Sequence, residues 1–139
     1  MASLSDYSEN KILNHMFRGE NFTTPNLYVA LFTSNAGLES NMSSVQTEVP
    51  TAGSGYARVE VPSYTGFGAS TSAQTSNVVT FEFPTATLDW GTITHAALMD
   101  DSAVGSGNVI LHGEISNPRT VYTGDTLRFA PNTFIVSID

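Results

Sequence analysis

The sequence predicts a mainly β fold: a single antiparallel β-sandwich, jelly-roll-like, with a short N-terminal α-helix. Three observations predict it. About seven to nine short segments alternate apolar and polar residues or are apolar throughout, and clusters of Gly, Ser, Thr, Asn and Asp separate them. Only the stretch near the start repeats apolar residues at helical spacing. Nowhere do strands alternate with helices, as a parallel α/β sheet requires.

The helix is expected over 5–18. Asp6-Tyr-Ser-Glu9 has the form of a capping box, with Asp6 accepting from the backbone and Glu9 reaching back. Ile12, Leu13, Met16 and Phe17 then recur on one stripe, and Gly19 is a left-handed stop. Such a stripe must be covered, either as a lid on an open end of the sheet or by docking on a partner.

Asn26–Thr33 is apolar on both faces, with Leu27, Val29 and Leu31 on one and Tyr28, Ala30 and Phe32 on the other. That pattern marks a buried central strand. Residues 34–55 follow as a long polar loop with Val45 and Val49 as its anchors, a length that favours function or mobility. In Tyr56–Val61 the alternation points Ala57, Val59 and Val61 inward and leaves Tyr56, Arg58 and Glu60 on a solvated face. A second long polar loop over 62–77 carries Tyr64 and Phe67. Val78–Phe83 alternates again, directing Val79, Phe81 and Phe83 to the core, and Pro84 stops it because proline cannot donate to a ladder.

The remainder is organised around Trp90–Met99, read as a strand covered on both sides. Trp90, Thr92, Thr94, Ala96 and Leu98 share one face, and Gly91, Ile93, His95, Ala97 and Met99 the other. Asp100–Asn108 is rich in turn formers, and Val109–Ile115 returns as the second arm of a hairpin. Arg119–Ala130 reads as strand, turn, strand about Gly124-Asp125, and Thr133–Ile138 closes the sheet. Trp90, Phe81, Phe83, Leu31 and Phe134 are the expected structural core.

A chain of 139 residues is long enough for one domain with a real core. Its charged fraction is 13%, against a usual value of about 25%, which suits a surface that lives against other protein. Net charge is −8, and the five basic residues, Lys11, Arg18, Arg58, Arg119 and Arg128, are scattered. That excludes a phosphate-tracking patch and so nucleic acid. No apolar run approaches the roughly 20 residues of a membrane helix, and the N-terminus has no signal-peptide pattern. The absence of cysteine removes disulfides and thiolate metal sites.

No catalytic constellation emerges. A nucleophile elbow, a phosphate loop and a His-Glu-x-x-His run are all missing. His95, His112 and Asp100 are conceivable metal ligands on neighbouring strands, but paired-strand histidines are ordinarily packing or surface residues. Asp100-Asp101 lacks calcium-loop spacing, and nothing about Asp89, Asp100, Asp101 and Glu114 favours a carboxylate pair over solvated turns. No metal, cofactor or catalytic residue is therefore expected. Tyr56, Tyr64 and Phe67, aromatic residues in polar surroundings, are either stacking surfaces or satellites of the core.

The chain resembles a family of small tailed-bacteriophage virion structural proteins, often labelled phage tail fibre proteins. The likeness is carried by the Tyr7–Leu13 helix, Tyr28–Thr33, Gly55-Tyr-Ala-Arg58, Phe83-Pro-Thr-Ala86, Asp89–His95, Gly107-Asn108 and Gly124–Arg128. It implies a non-enzymatic virion building block, tail- or fibre-associated. Since a repetitive shaft is absent, the role implied is an adaptor or knob subunit. The alternatives are a capsid decoration protein, or a host-attachment module binding glycan through Tyr56, Tyr64 and Trp90. Other virion proteins are the implied partners, within a homo-oligomer or symmetric assembly, and Ile12, Leu13, Met16, Phe17, Tyr56, Tyr64 and Phe67 are the candidate contacts.

Overall fold

The computed structural model describes residues 2–23, 25–40 and 47–138. Among them lie strands β1 (Ala2–Leu4), β2 (Tyr28–Phe32), β3 (Val59–Glu60), β4 (Gln74–Ser76) and β5 (Phe81–Glu82), and helix α1 (Asp6–Arg18). The longest strands, β6 (Gly91–Met99) and β7 (Val109–Val121), are followed by β8 (Arg128–Phe129) and β9 (Ile135–Ser137). The larger sheet has the order β3-β2-β6-β7-β1-β9-β4, antiparallel except where β1 meets β9. A smaller sheet pairs β5 with β8. The protein is thus mainly β with one N-terminal helix, consistent with a sandwich or barrel-like domain.

The apolar faces of β2 explain its place at the centre. Val29 and Leu31 enter a large core with Phe81, Phe83, Trp90 and Phe134, whereas Ala30 and Phe32 join a smaller cluster with Leu38, Ala97, Met99 and Val109. Leu38, fully buried, is an anchor of the 34–55 segment that alternation does not reveal; Val49 is another, and Val45 lies outside the described residues. Nor is that segment a free loop throughout: Thr33 donates to Thr47, Val49 donates to Leu31 and Glu48 bridges Phe32, which prolongs the edge of β2 that β3 occupies.

Strand β6 is central, as its two apolar faces predict, but its faces are not those of a continuous alternation. Ile93 shares the main core with Trp90, Ala96 and Leu98. Two features reset the phase: Gly91 has φ +83°, and the register with β7 slips between Ile93 and His95. A bulge changes which side chains face inward beyond it.

The Tyr56–Val61 assignment is also corrected. Ladder pairing is confined to Val59–Glu60; Ala57 is exposed, while Tyr56 and Arg58 are buried. Tyr56 lies inside because its ring meets Trp90 edge-on at 5.4 Å and stacks on Phe83, and its hydroxyl donates to Glu48 while accepting from the Leu31 amide. Arg58 lies inside because an ion pair awaits it there. At the far end, Ile138 is half exposed rather than in register with the core, since β9 ends at Ser137.

Helix α1 begins one residue earlier than a capping box at Asp6 requires. Ser5 is the N-cap, accepting from the Ser8 amide, and Asp6 and Glu9 occupy the first turn, where the helix dipole favours acids. The Ser5 hydroxyl also donates to the Val109 carbonyl, and its amide to Ile110, which fixes the helix start on β7. Gly19, at φ 68°, ends the helix in the left-handed conformation.

Candidate interaction surface

A helix held at its first turn is free to present its far face, and α1 does so. Tyr7 packs against the core and Ser8 is buried, whereas Leu13, Met16 and Phe17 are 52%, 66% and 77% exposed. Ile12 is half-buried. Only the first turn packs as a lid would, through Tyr7 and Ser8, while the stripe from Leu13 to Phe17 points outward. A groove of about 400 Å³ runs beside it, between Ile12 and Leu13 of the helix, β1 and the exposed Ile138. Ile12 and Leu13 belong to both the stripe and the groove, whose lining also carries Glu9, Ser3 and Ser137.

The other aromatic candidates separate. Tyr64 is 87% exposed, in a turn where it adopts φ 61°. Phe67 is half-buried, its ring 5.7 Å from Phe81 and 6.1 Å from Phe134, so it is a satellite of the core. Tyr56 and Trp90 are internal, the Trp90 indole N–H donating to the Ser54 carbonyl at 2.9 Å. A stacking platform of Tyr56, Tyr64 and Trp90 is not formed, because two of its members face the core.

The densest polar cluster is internal. The Arg58 guanidinium meets both Glu48 oxygens at 2.8 Å, with side chains 1% and 3% exposed. Its remaining donors reach the Asp101 and Ser106 carbonyls, and Glu48 also accepts from the Gly105 amide. The β6–β7 turn is thus clipped to β2 and β3. Gly107 lets the turn approach: at φ +85°, an added Cβ would lie 2.5 Å from the Asp101 Cβ. Burial, and then the Glu48 carboxylate, push the Tyr56 hydroxyl well above the usual tyrosine range. Glu48, Arg58 and Tyr56 are thus partnered within the fold and clamp the β6–β7 turn in place.

The candidate metal ligands do not converge. Asp100 accepts both the backbone and side-chain N–H of Asn108, His112 meets Glu39 at 2.6 Å, and His95 meets Thr94 at 2.8 Å. Burial lowers the His95 pKa, opposed by Glu114 and reinforced by His112. Among the described residues, the group with ligand atoms within 4.8 Å of one another is Asp6, Glu9 and Glu39, all exposed. Asp89 instead caps the β7–β8 turn by accepting from Thr123.

The geometry therefore holds an internal clamp and an outward apolar helix face. No curated protein matches the chain. The model of the family described as podophage GP4 fiber I protein gp80 matches residues 3–137, from β1 to the end of β9. With nearly the whole chain matched, the protein belongs to this phage fibre family and is a structural component of the virion.

Proposed function

We propose that the chain is one domain acting as a non-enzymatic adaptor or knob subunit of the fibre, seated on another virion protein through the exposed face of α1. The observation that carries this is the exposure of Leu13, Met16 and Phe17 on a helix whose opposite side is already anchored. Apolar side chains at successive helical positions are the anchors of helix-in-groove recognition. The low charged fraction of 13% supports it, since an interface core is depleted of charge. Tyr64 and the 62–77 segment are a secondary contact in this arrangement, within a homo-oligomeric or symmetric assembly.

Deleting the N-terminal segment does not test this cleanly, because β1 lies between β7 and β9 and would be lost with the helix. The double variant Met16→Glu/Phe17→Glu does. Both side chains are solvent-facing, so melting is expected to stay close to the parent, while incorporation into virions falls by at least roughly tenfold, as hot-spot losses of 2 kcal/mol or more imply. A stable variant that incorporates at the parental level would refute the docking role of the helix.

A further inference from the structure

The stripe that α1 turns to solvent has a charged end. Asp6, Glu9, Leu13 and Met16 follow one another at intervals of three and four residues, so they lie along one line of the helix. That line passes from carboxylates to exposed apolar side chains over about 15 Å, at the rise of a helix. Glu9 stands where the two halves meet, lining the groove beside Ile12 and Leu13.

A third carboxylate joins them from another segment. The Asp6 amide donates to the Glu39 carbonyl at 3.0 Å, which holds the chain around Glu39 against the first turn. Carboxylate oxygens of Asp6, Glu9 and Glu39 lie within 4.8 Å of one another, and all three residues are exposed. The helix dipole accounts for Asp6 and Glu9. It does not account for Glu39, which lies outside the helix and adds a like charge at a distance where repulsion is felt. His112 meets one oxygen of Glu39 at 2.6 Å, whereas Asp6 and Glu9 have no ion pair among the described residues. Lys11 is turned away from them, its Nζ 5.6 Å from the centre of the Tyr7 ring. At the far end of the helix Arg18 is paired with Glu20. The face is therefore acidic at its start, apolar along its length and balanced at its end.

We propose, resting on the reading that α1 docks in a groove of another virion protein, that this groove is basic at the end that receives the first turn. A Lys or Arg side chain of the partner enters among Asp6, Glu9 and Glu39, about 15 Å along the helix from the pocket that takes Met16. A guanidinium has the donors to serve more than one of the carboxylates. The charge also fixes the direction of the helix in its groove. Laid the other way, α1 would set the partner's cation beside Arg18 and its own carboxylates on the apolar wall. A second copy is a poor seat, because the chain has a net charge of −8. Arg58 is buried in its clamp, and Arg18 and Arg128 already pair with Glu20 and Glu82.

Rebinding of the purified full-length subunit to particles that lack it, followed at increasing NaCl, tests this. The parent is expected to bind more slowly as salt rises, because screening weakens attraction between opposite charges. Glu9→Gln/Glu39→Gln removes charge and keeps shape, and Asp6→Asn/Glu9→Gln does so while leaving His112 its carboxylate. Both are expected to melt close to the parent, to bind at least roughly tenfold more slowly at low salt and to lose most of the salt dependence. Folded variants that bind at the parental rate with the parental salt dependence would overturn the proposal, even where Met16→Glu/Phe17→Glu abolishes binding and so upholds the docking face. Normal binding by Met16→Glu/Phe17→Glu would overturn both. Loss of parental binding on adding a chelator would place a metal ion among the carboxylates, and salt-sensitive self-association of the subunit would seat α1 on a second copy. Either result overturns the choice of partner.

Discussion

Trp90→Ala is expected to destabilise the fold by about 3–5 kcal/mol, the range for truncating a large buried aromatic. Trp90 is 4% exposed and stands where several elements meet. Its indole holds the Ser54 carbonyl, its backbone amide donates to Val121, and its ring receives Tyr56 edge-on. Truncation opens a cavity against Tyr56 and takes one of the Ser54 carbonyl's two donors, leaving it the Thr87 amide. Thermal melting checks this, with an expected loss of roughly 10 °C or more. A melting temperature within a degree of the parent would show that Trp90 does not bear on stability.

Arg58→Met should cost about 3–5 kcal/mol by a different route, the stranding of a buried charge. The Glu48 carboxylate, with its side chain 3% exposed, would keep the Tyr56 and Gly105 donors but lose its cation. The Asp101 and Ser106 carbonyls would lose theirs too, releasing the β6–β7 turn. The double variant Glu48→Leu/Arg58→Met removes the stranded charge. It is expected to recover part of the loss in chemical denaturation, because an apolar pair tolerates burial better than half an ion pair. If the double variant is less stable than Arg58→Met by the full cost of a second independent lesion, the two residues are not coupled as described.

Legibility followed the physics of each segment. Strands β2 and β6 are apolar on both faces over a sustained run, and burial on both sides is the arrangement that satisfies such a run. Gly19 and the turn formers before Val109 marked their boundaries for local steric reasons. Alternation misplaces Arg58 because it reports only which side chains dislike water, whereas a cation becomes internal when a carboxylate waits for it. That carboxylate, Glu48, lies ten residues back in a segment with no pattern of its own. Strand β1 has three residues, too few for any period to show. The phase of β6 depends on a bulge, which alternation cannot encode. The stripe on α1 was legible as apolar, but periodicity is silent on what covers it, and in the isolated chain it is left in solvent. The turn residues Gly124-Asp125 predict a hairpin, whereas β8 pairs with β5 instead of β7, a long-range choice that local turn chemistry does not encode.

Docking of the fibre subunit through α1 is decided by where that helix lies in the assembled particle. A cryo-electron-microscopy map of the intact virion tests it most directly. The predicted result is density for this fold on the fibre, with Leu13, Met16 and Phe17 enclosed by a groove of another virion protein. Density for the subunit with that helix face open to solvent would contradict the claim.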